Sequence, residues 1–362
     1  MQEPNFMNNG RSFITSRAGW WWRDNHDCIF LDVISVENLL WAWRHFSRGK
    51  RSKKDVVEFE LRLEENLFKL HEDLESGSWQ PDPYRISFIQ DPKPRKIHEP
   101  SVRDRVLYQA IYSKLNIIFD ESFIHDSYAS RKWKGTHKGI KRFEIFARKI
   151  TANYTKVAYV LKCDIRKFFD NIDHNLLLSL VRKRVSDEKF MGLMTQIIES
   201  FSTKSGIGVP LGNVTSQICS NIFLNELDQY AKHCLKARYY IRYCDDFVIL
   251  HESKRFLENC ILKLDYFLKN KLKLELHPNK ISLRKIHNGT DFLGYVSLPH
   301  RKILRTKTKK RIIKKIEKLS IMLQRELISQ EYFDQIMSSY KGILTHCKSE
   351  KLKEQIGLIA YC

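Results

Sequence analysis

The chain has 362 residues, and its 63 lysines and arginines against 42 aspartates and glutamates give a formal net charge of +21. Apolar residues make up 43% and charged residues 29%, enough for a sizeable core and too apolar for a chain disordered throughout. The longest stretch without Asp, Glu, Lys or Arg, residues 205–225, is full of Gly, Asn, Ser, Thr and Gln, which excludes a membrane span.

Residues 1–30 read as an irregular extension with no signal-peptide pattern, carrying a Trp20-Trp21-Trp22 run to which the sequence assigns no role. From Val56, the residues Phe59, Leu63, Leu67, Leu70 and Leu74 recur at helical steps and predict one helix, stopped by Ser76-Gly77-Ser78. Residues 79–100 are punctuated by prolines, and Ile86, Phe88 and Ile97 mark short strands between turns. Residues 156–164 (KVAYVLKCD) form a β-rich run ending on Asp164, after which Asp173 caps a helix beginning near His174. A glycine-containing loop, 205–212, leads to a helix starting about Thr215, with Ile218, Ile222, Leu227 and Tyr230 inward. Strands over 237–243 and 247–251 are joined at Cys244-Asp245-Asp246 too tightly for anything but a hairpin. Ser253 begins another helix, with Leu257, Ile261, Leu264 and Leu268 as its apolar face. Residues 301–320 hold ten basic residues and one acidic one, and the spacing of Ile312, Ile316, Leu319, Leu323 and Leu327 predicts a helix with one apolar stripe. This order of elements predicts an α/β (α+β) layer, with helices against one face of a largely antiparallel sheet.

The chemistry lies in carboxylates. Asp164 closes one strand and Asp245-Asp246 sit at the tip of a hairpin, so neighbouring strands would bring all three together. Clustered carboxylates repel and call for a cation, and hard oxygen ligands select Mg²⁺. Two such ions about 3.5–4 Å apart serve in-line displacement at phosphorus. The plainer reading makes Asp245-Asp246 turn formers only. The charge of +21 points to phosphate backbones as partners, because each Lys or Arg near a phosphate releases a condensed counterion. A solvated helix surface is the alternative for 301–320.

Further motifs stand in order around these acids: Asp164-Ile165-Arg166-Lys167-Phe168-Phe169, Val209-Pro210-Leu211-Gly212 continuing to Gln217, and Tyr243-Cys244-Asp245-Asp246. Lys93-Pro94-Arg95-Lys96-Ile97 and Pro100 to Val106 precede them, and His277-Pro278-Asn279-Lys280 and Phe292-Leu293-Gly294-Tyr295 follow. The set resembles the reverse transcriptase family, whose palm carries a Tyr-x-Asp-Asp hairpin. The resemblance implies a right-hand polymerase fold with fingers, an antiparallel palm sheet with helices on one face, and a helical thumb. On that reading 1–30 is an N-terminal extension, 31–155 holds N-terminal helices and fingers, 156–298 is palm with 182–212 contributing to the fingers, and 299–362 is a basic helical thumb. It implies catalytic and metal roles for Asp164, Asp245 and Asp246, with the Ile165 carbonyl as an added ligand to two Mg²⁺ ions. Arg95, Lys96 and Arg105 become candidates for the triphosphate of a dNTP. Phe169 matches the steric gate, with Phe168 as the core alternative. Lys280 matches a lysine that protonates pyrophosphate, a solvated lysine being the alternative. Phe292 to Tyr295 match the primer grip, and Lys309, Lys310 and Lys314 are expected on nucleic acid.

The 67 residues after Tyr295 suit a thumb rather than a ribonuclease H domain. The eight cysteines never fall at Cys-x-x-Cys spacing, which leaves a zinc finger without ligands and makes a reduced cytoplasm the expected location. Leu211-Gly212 stands where most of the family has Gln-Gly, and Gln217 follows Ser216. This pattern, with residues 131–137 (RKWKGTH) and the stretch 58–74, is similar to the reverse transcriptases of diversity-generating retroelements. Those copy RNA with frequent errors opposite adenine and work with an accessory variability determinant protein. The expected partners are therefore an RNA template, a DNA or RNA primer, dNTPs and that accessory protein, with no membrane. Two alternatives are an antiphage or abortive-infection-type reverse transcriptase and an inactive nucleic-acid-binding palm scaffold.

Overall fold

A computed structural model describes residues 28–90 and 94–361; the Trp20 to Trp22 run, most of the expected N-terminal extension and Lys93 lie outside them. The chain begins with α1 (Ile29–Ile34), α2 (Val36–Phe46), α3 (Lys54–Glu60) and α4 (Leu63–Glu75). The single helix predicted from Val56 is thus two. The break falls at Leu61 and Arg62, where Leu61 is 79% exposed and the Asn66 side-chain amide donates to the Phe59 carbonyl (3.0 Å) in place of continuous helical bonding. Next come β1 (Arg85–Ile89), β2 (Arg95–Glu99), α5 (Val102–Asp120) and α6 (Thr136–Ile150). β1 and β2 are the short strands expected there, and they pair antiparallel, with Phe88 opposite Lys96 and Ile86 opposite His98. α5 is capped by Ser101, whose hydroxyl accepts from the Asp104 amide (3.2 Å), and packs along α2 through Leu107, Ile111 and Trp43.

The central sheet is built from β3 (Tyr159–Asp164), β4 (Tyr239–Tyr243), β5 (Asp246–His251) and β6 (Ser282–Lys285), all antiparallel in the order β4-β5-β3-β6. Between β3 and β4 run α7 (His174–Arg182), α8 (Glu188–Glu199) and α9 (Val214–Gln229), and α10 (Lys254–Phe267) joins β5 to β6. The caps fall where expected: Asp173 accepts from the Leu176 amide (2.8 Å), and Ser253 accepts from that of Phe256 (3.2 Å). α9 starts one residue earlier than Thr215, because the Asn213 side chain takes the cap (3.2 Å from the Thr215 amide). Strand alternation divides the core in two. Leu161, Cys163, Phe247 and Ile249 face α9 and α10, while Val160, Ile241, Val248 and Leu250 face a second core shared with α6.

The C-terminal part holds β7 (Thr290–Phe292), β8 (Tyr295–Leu298) and β9 (Arg301–Leu304) in one small antiparallel sheet, then α11 (Thr306–Gln324), α12 (Gln330–Leu344) and α13 (Glu350–Tyr361). The basic segment is therefore not helical from Arg301. Its first four residues pair with β8, Leu298 opposite Arg301, and the sheet runs across residue 298. Ile312, Ile316 and Leu319 are buried as the stripe predicts, whereas Leu327 lies beyond the end of α11 and is 65% exposed. Among the described residues no helix is long and apolar enough to cross a membrane.

Candidate active site

The β3–β5 register sets Asp164 directly opposite Asp246, and the β4–β5 turn places Asp245 next to both. Cys244 takes the left-handed conformation the turn needs (φ 55°). The Ile165 amide donates to the Asp245 carbonyl (3.1 Å), and the His277 amide to that of Asp164 (2.8 Å). Both acidic loops are thus tied to the strand end by backbone. Lys280 Nζ lies 2.7 Å from Asp164 Oδ1, and Lys162 Nζ lies 3.3 Å from Asp246 Oδ2 while donating to the Asp291 carbonyl (3.0 Å). Burial pushes Asp246 up to about 6 against the pull of Lys162, and burial followed by the charge of Asp164 raises Asp245. Burial also pushes the Cys244 thiol up to about 12, leaving it a neutral neighbour.

Asp246 Oδ1 is buried without a hydrogen-bond partner. Among the described residues no three acidic, His or Cys side chains converge into a ready-made metal cage. Asp164 and Asp246 instead each pair with a lysine. An acceptor-only donor set with one orphaned oxygen fits a hard divalent cation better than it fits the lysines alone.

Beneath the turn lies a buried ionic network. Arg242, fully buried in β4, donates Nε and Nη2 to the two carboxylate oxygens of Asp228 on α9 (both 2.7 Å). The same guanidinium reaches the Cys244 carbonyl (3.3 Å), Asn221 Oδ1 (3.3 Å) and Ser127 Oγ (3.1 Å), and the Tyr240 hydroxyl also donates to Asp228 (2.7 Å). One cation therefore clamps α9, the segment around Ser127 and the carbonyl preceding Asp245.

A cleft of about 900 Å³ lies between the β1–β2 hairpin and the loops around it, lined by Arg95, Lys96, Asp170, Leu211 and Lys273 among others. Arg95, Lys96 and Leu211 are brought together there. The His98 amide donates to the Leu211 carbonyl (3.2 Å). At Gly212 (φ 105°) a Cβ would stand 2.7 Å from Ile97 Cγ2, so the close approach of this loop to β2 requires glycine. Phe168 is 2% exposed and packs on Phe223, whereas Phe169 is half-buried one residue before the cleft-lining Asp170. Arg105 is not brought to the cleft. Its guanidinium pairs with Glu99 (2.9 Å) and with Asp55, and stacks on Phe46, which serves packing. Gln217 is exposed on α9.

A second cleft, about 760 Å³, holds Asp164 and Asp246 together with Lys162, Lys280, Arg284 and Arg305. Phe292 and Tyr295 are buried, and Leu293-Gly294 form the tight turn between β7 and β8 (φ 52° and 86°). Gly139 of α6 closes on that turn, a Cβ there meeting Leu293 Cδ1 at 2.8 Å. On α11, Lys310 and Lys314 are exposed and Lys309 is half-buried.

Residues 90–297 match the reverse transcriptase (RNA-dependent DNA polymerase) family. The chain belongs to this family. Relatives include protein YkfC of Escherichia coli (strain K12), 29% identical over 65% of this chain and 72% of its own length. Group II intron-encoded protein LtrA of Lactococcus lactis subsp. cremoris is 24% identical over 77% of this chain, which spans 57% of LtrA. Among solved structures, telomerase from Candida albicans in complex with a fragment of telomeric RNA aligns over 81% of this chain and 64% of its own, with TM-score 0.48 and 11% identity.

The reverse transcriptase, an RNA-directed DNA polymerase of right-hand fold, carries two site residues that motif reading passed over. Lys162 had a signal, the one cation of β3, set in the apolar run ahead of Asp164. Arg242 had a similar one in β4, and what it lacked was a partner, since Asp228 lies on a helix whose inward face reads as apolar.

Proposed function

We propose that this reverse transcriptase extends a primer on an RNA template at Asp164, Asp245 and Asp246. The observation that carries the reading is the β3–β5 register, which faces Asp164 with Asp246 beside the tied turn of Asp245. Bound Mg²⁺, two ions in the family's manner, would polarise phosphoryl oxygens and activate the primer hydroxyl. The Ile165 carbonyl, next along the chain from Asp164, would be an added ligand. Lys162 and Lys280 keep the carboxylates oriented. Lys280, held at Asp164, passes a proton to departing pyrophosphate. Arg95 and Lys96 present cations to a triphosphate, Phe169 faces its sugar as the gate, and Gly212 and Gln217 belong to the loop and helix around the nascent pair. Phe292 to Tyr295 hold the primer end. The test is primer extension on RNA by the wild type and by the Asp245 variant described in the Discussion.

The finer reading is error-prone copying of template adenines, as in diversity-generating retroelements, with an accessory variability determinant protein as partner. Leu211 supports it: an apolar side chain lines the cleft where most of the family has an amide. One hydrogen bond of about 1 kcal/mol is worth roughly fivefold in selectivity. Leu211→Gln should therefore lower misincorporation opposite adenine severalfold with synthesis retained, as read by sequencing cDNA made on a defined RNA. Wild-type copying that is as accurate at adenine as at other bases would instead favour an intron-type enzyme, the class named for LtrA.

α11 is assigned to duplex grip. Replacing Lys309, Lys310 and Lys314 together by Gln should weaken primer–template binding regardless of sequence and reduce the log–log salt slope by about one unit per lost phosphate contact. An unchanged slope would return these charges to solvent.

A further inference from the structure

The loop between α5 and α6 is braced on both sides of one exposed aromatic side chain. Arg131 is locked by Asp120 (Nε to Oδ1 2.6 Å) and by the Ile124 carbonyl (2.8 Å). Lys134 Nζ donates to the His125 carbonyl (2.7 Å), the Gly135 amide donates to the Tyr128 carbonyl (2.9 Å), and Asn221 donates to that of Ala129 (3.0 Å). Trp133, in the middle, is 76% exposed and adopts φ 63°, a conformation costly for a bulky side chain. A braced loop thus spends backbone strain to hold an indole mostly in water, where it gains no apolar burial in the free protein.

What surrounds the indole names its partner. Residues 131–138 (RKWKGTHK) contain no acidic residue, Lys132 Nζ stands 5.6 Å from the ring, and Lys132 and Lys138 are exposed. The loop also adjoins the reaction centre. The Tyr128 amide donates to the Arg242 carbonyl (2.9 Å), extending the β4 edge, and Thr136 Oγ1 lies 3.3 Å from the hydroxyl of Tyr243, two residues before Asp245. On the other side α6 closes on Leu293 through Gly139. A flat aromatic face among lysines suits a nucleoside, whose base or sugar stacks on the ring while its phosphates meet the cations.

We propose that Trp133 is a stacking platform for a nucleoside of the bound primer–template, an interaction surface resting on the polymerase reading above. The experiment uses the full chain, wild type, Trp133→Ala and Trp133→Phe, with fluorescently labelled single-stranded RNA and, separately, a blunt RNA–DNA duplex. Trp133→Ala should weaken binding of at least one probe about tenfold. Trp133→Phe should recover most of the loss, and the salt slope should be unchanged because no cation is removed. Wild-type tryptophan emission should be quenched by that probe, and the quenched component should be missing from the Ala variant. The probe that responds identifies whether an unpaired or a paired nucleoside stacks. Equal affinity and equal quenching of wild type and Trp133→Ala on both probes would overturn the proposal and leave the loop to a protein partner. Failure of the polymerase reading would look different: the wild type would bind both probes yet add no nucleotide.

Discussion

Asp245→Asn is expected to abolish primer extension while leaving the chain folded. The side chain is half-buried at the tip of a backbone-tied turn and has the same shape as Asn, so no packing is lost. The variant removes one of three charged oxygen donors. Where a cation supplies about 4 kcal/mol of transition-state stabilisation, loss of its hold corresponds to roughly a thousandfold in rate. Stability should hold or rise slightly, because burial and then the like charge of Asp164 both disfavour the ionised Asp245, and Asn carries neither penalty. Thermal unfolding and primer extension on RNA are measured together. A folded variant that extends at near the wild-type rate would remove the three acids from the mechanism.

The second large effect is expected beneath the turn. Arg242→Met leaves Asp228 charged and buried with only the Tyr240 hydroxyl and costs about 3–5 kcal/mol, because a lone buried charge has neither water nor a counter-ion. Arg242→Met with Asp228→Leu removes both charges, and part of that stability should return, less about 1–3 kcal/mol for the orphaned Tyr240 hydroxyl and with Asn221 Oδ1 and Ser127 Oγ still without the guanidinium. Extension should remain impaired by about tenfold in the double variant, the size of one lost hydrogen bond to a charged group, since nothing then holds the Cys244 carbonyl ahead of Asp245. Denaturant titration separates the two effects. Full extension by a refolded double variant would reduce the guanidinium to packing.

Local signals determined much of this protein without the fold. Asp173 and Ser253 cap helices because a short polar side chain accepts from the amides of the first turn, a property of a few neighbouring residues. The hairpin carrying Asp245 and Asp246 was legible for the same reason, as was the apolar stripe of Ile312, Ile316 and Leu319. Tertiary structure decided what depends on partners distant in sequence. Arg301 to Leu304 became a strand because β8 offered an unpaired edge, and periodicity carries no information about edges. Arg105 and Lys96 both read as cations near a phosphate. The fold paired one with Asp55 and Glu99 and left the other on the cleft, since a charge goes where its counter-ions lie. Lys162 with Asp246, and Arg242 with Asp228, meet only when strand register and helix packing are both complete, because an ion pair needs about 4 Å in space and no fixed spacing along the chain.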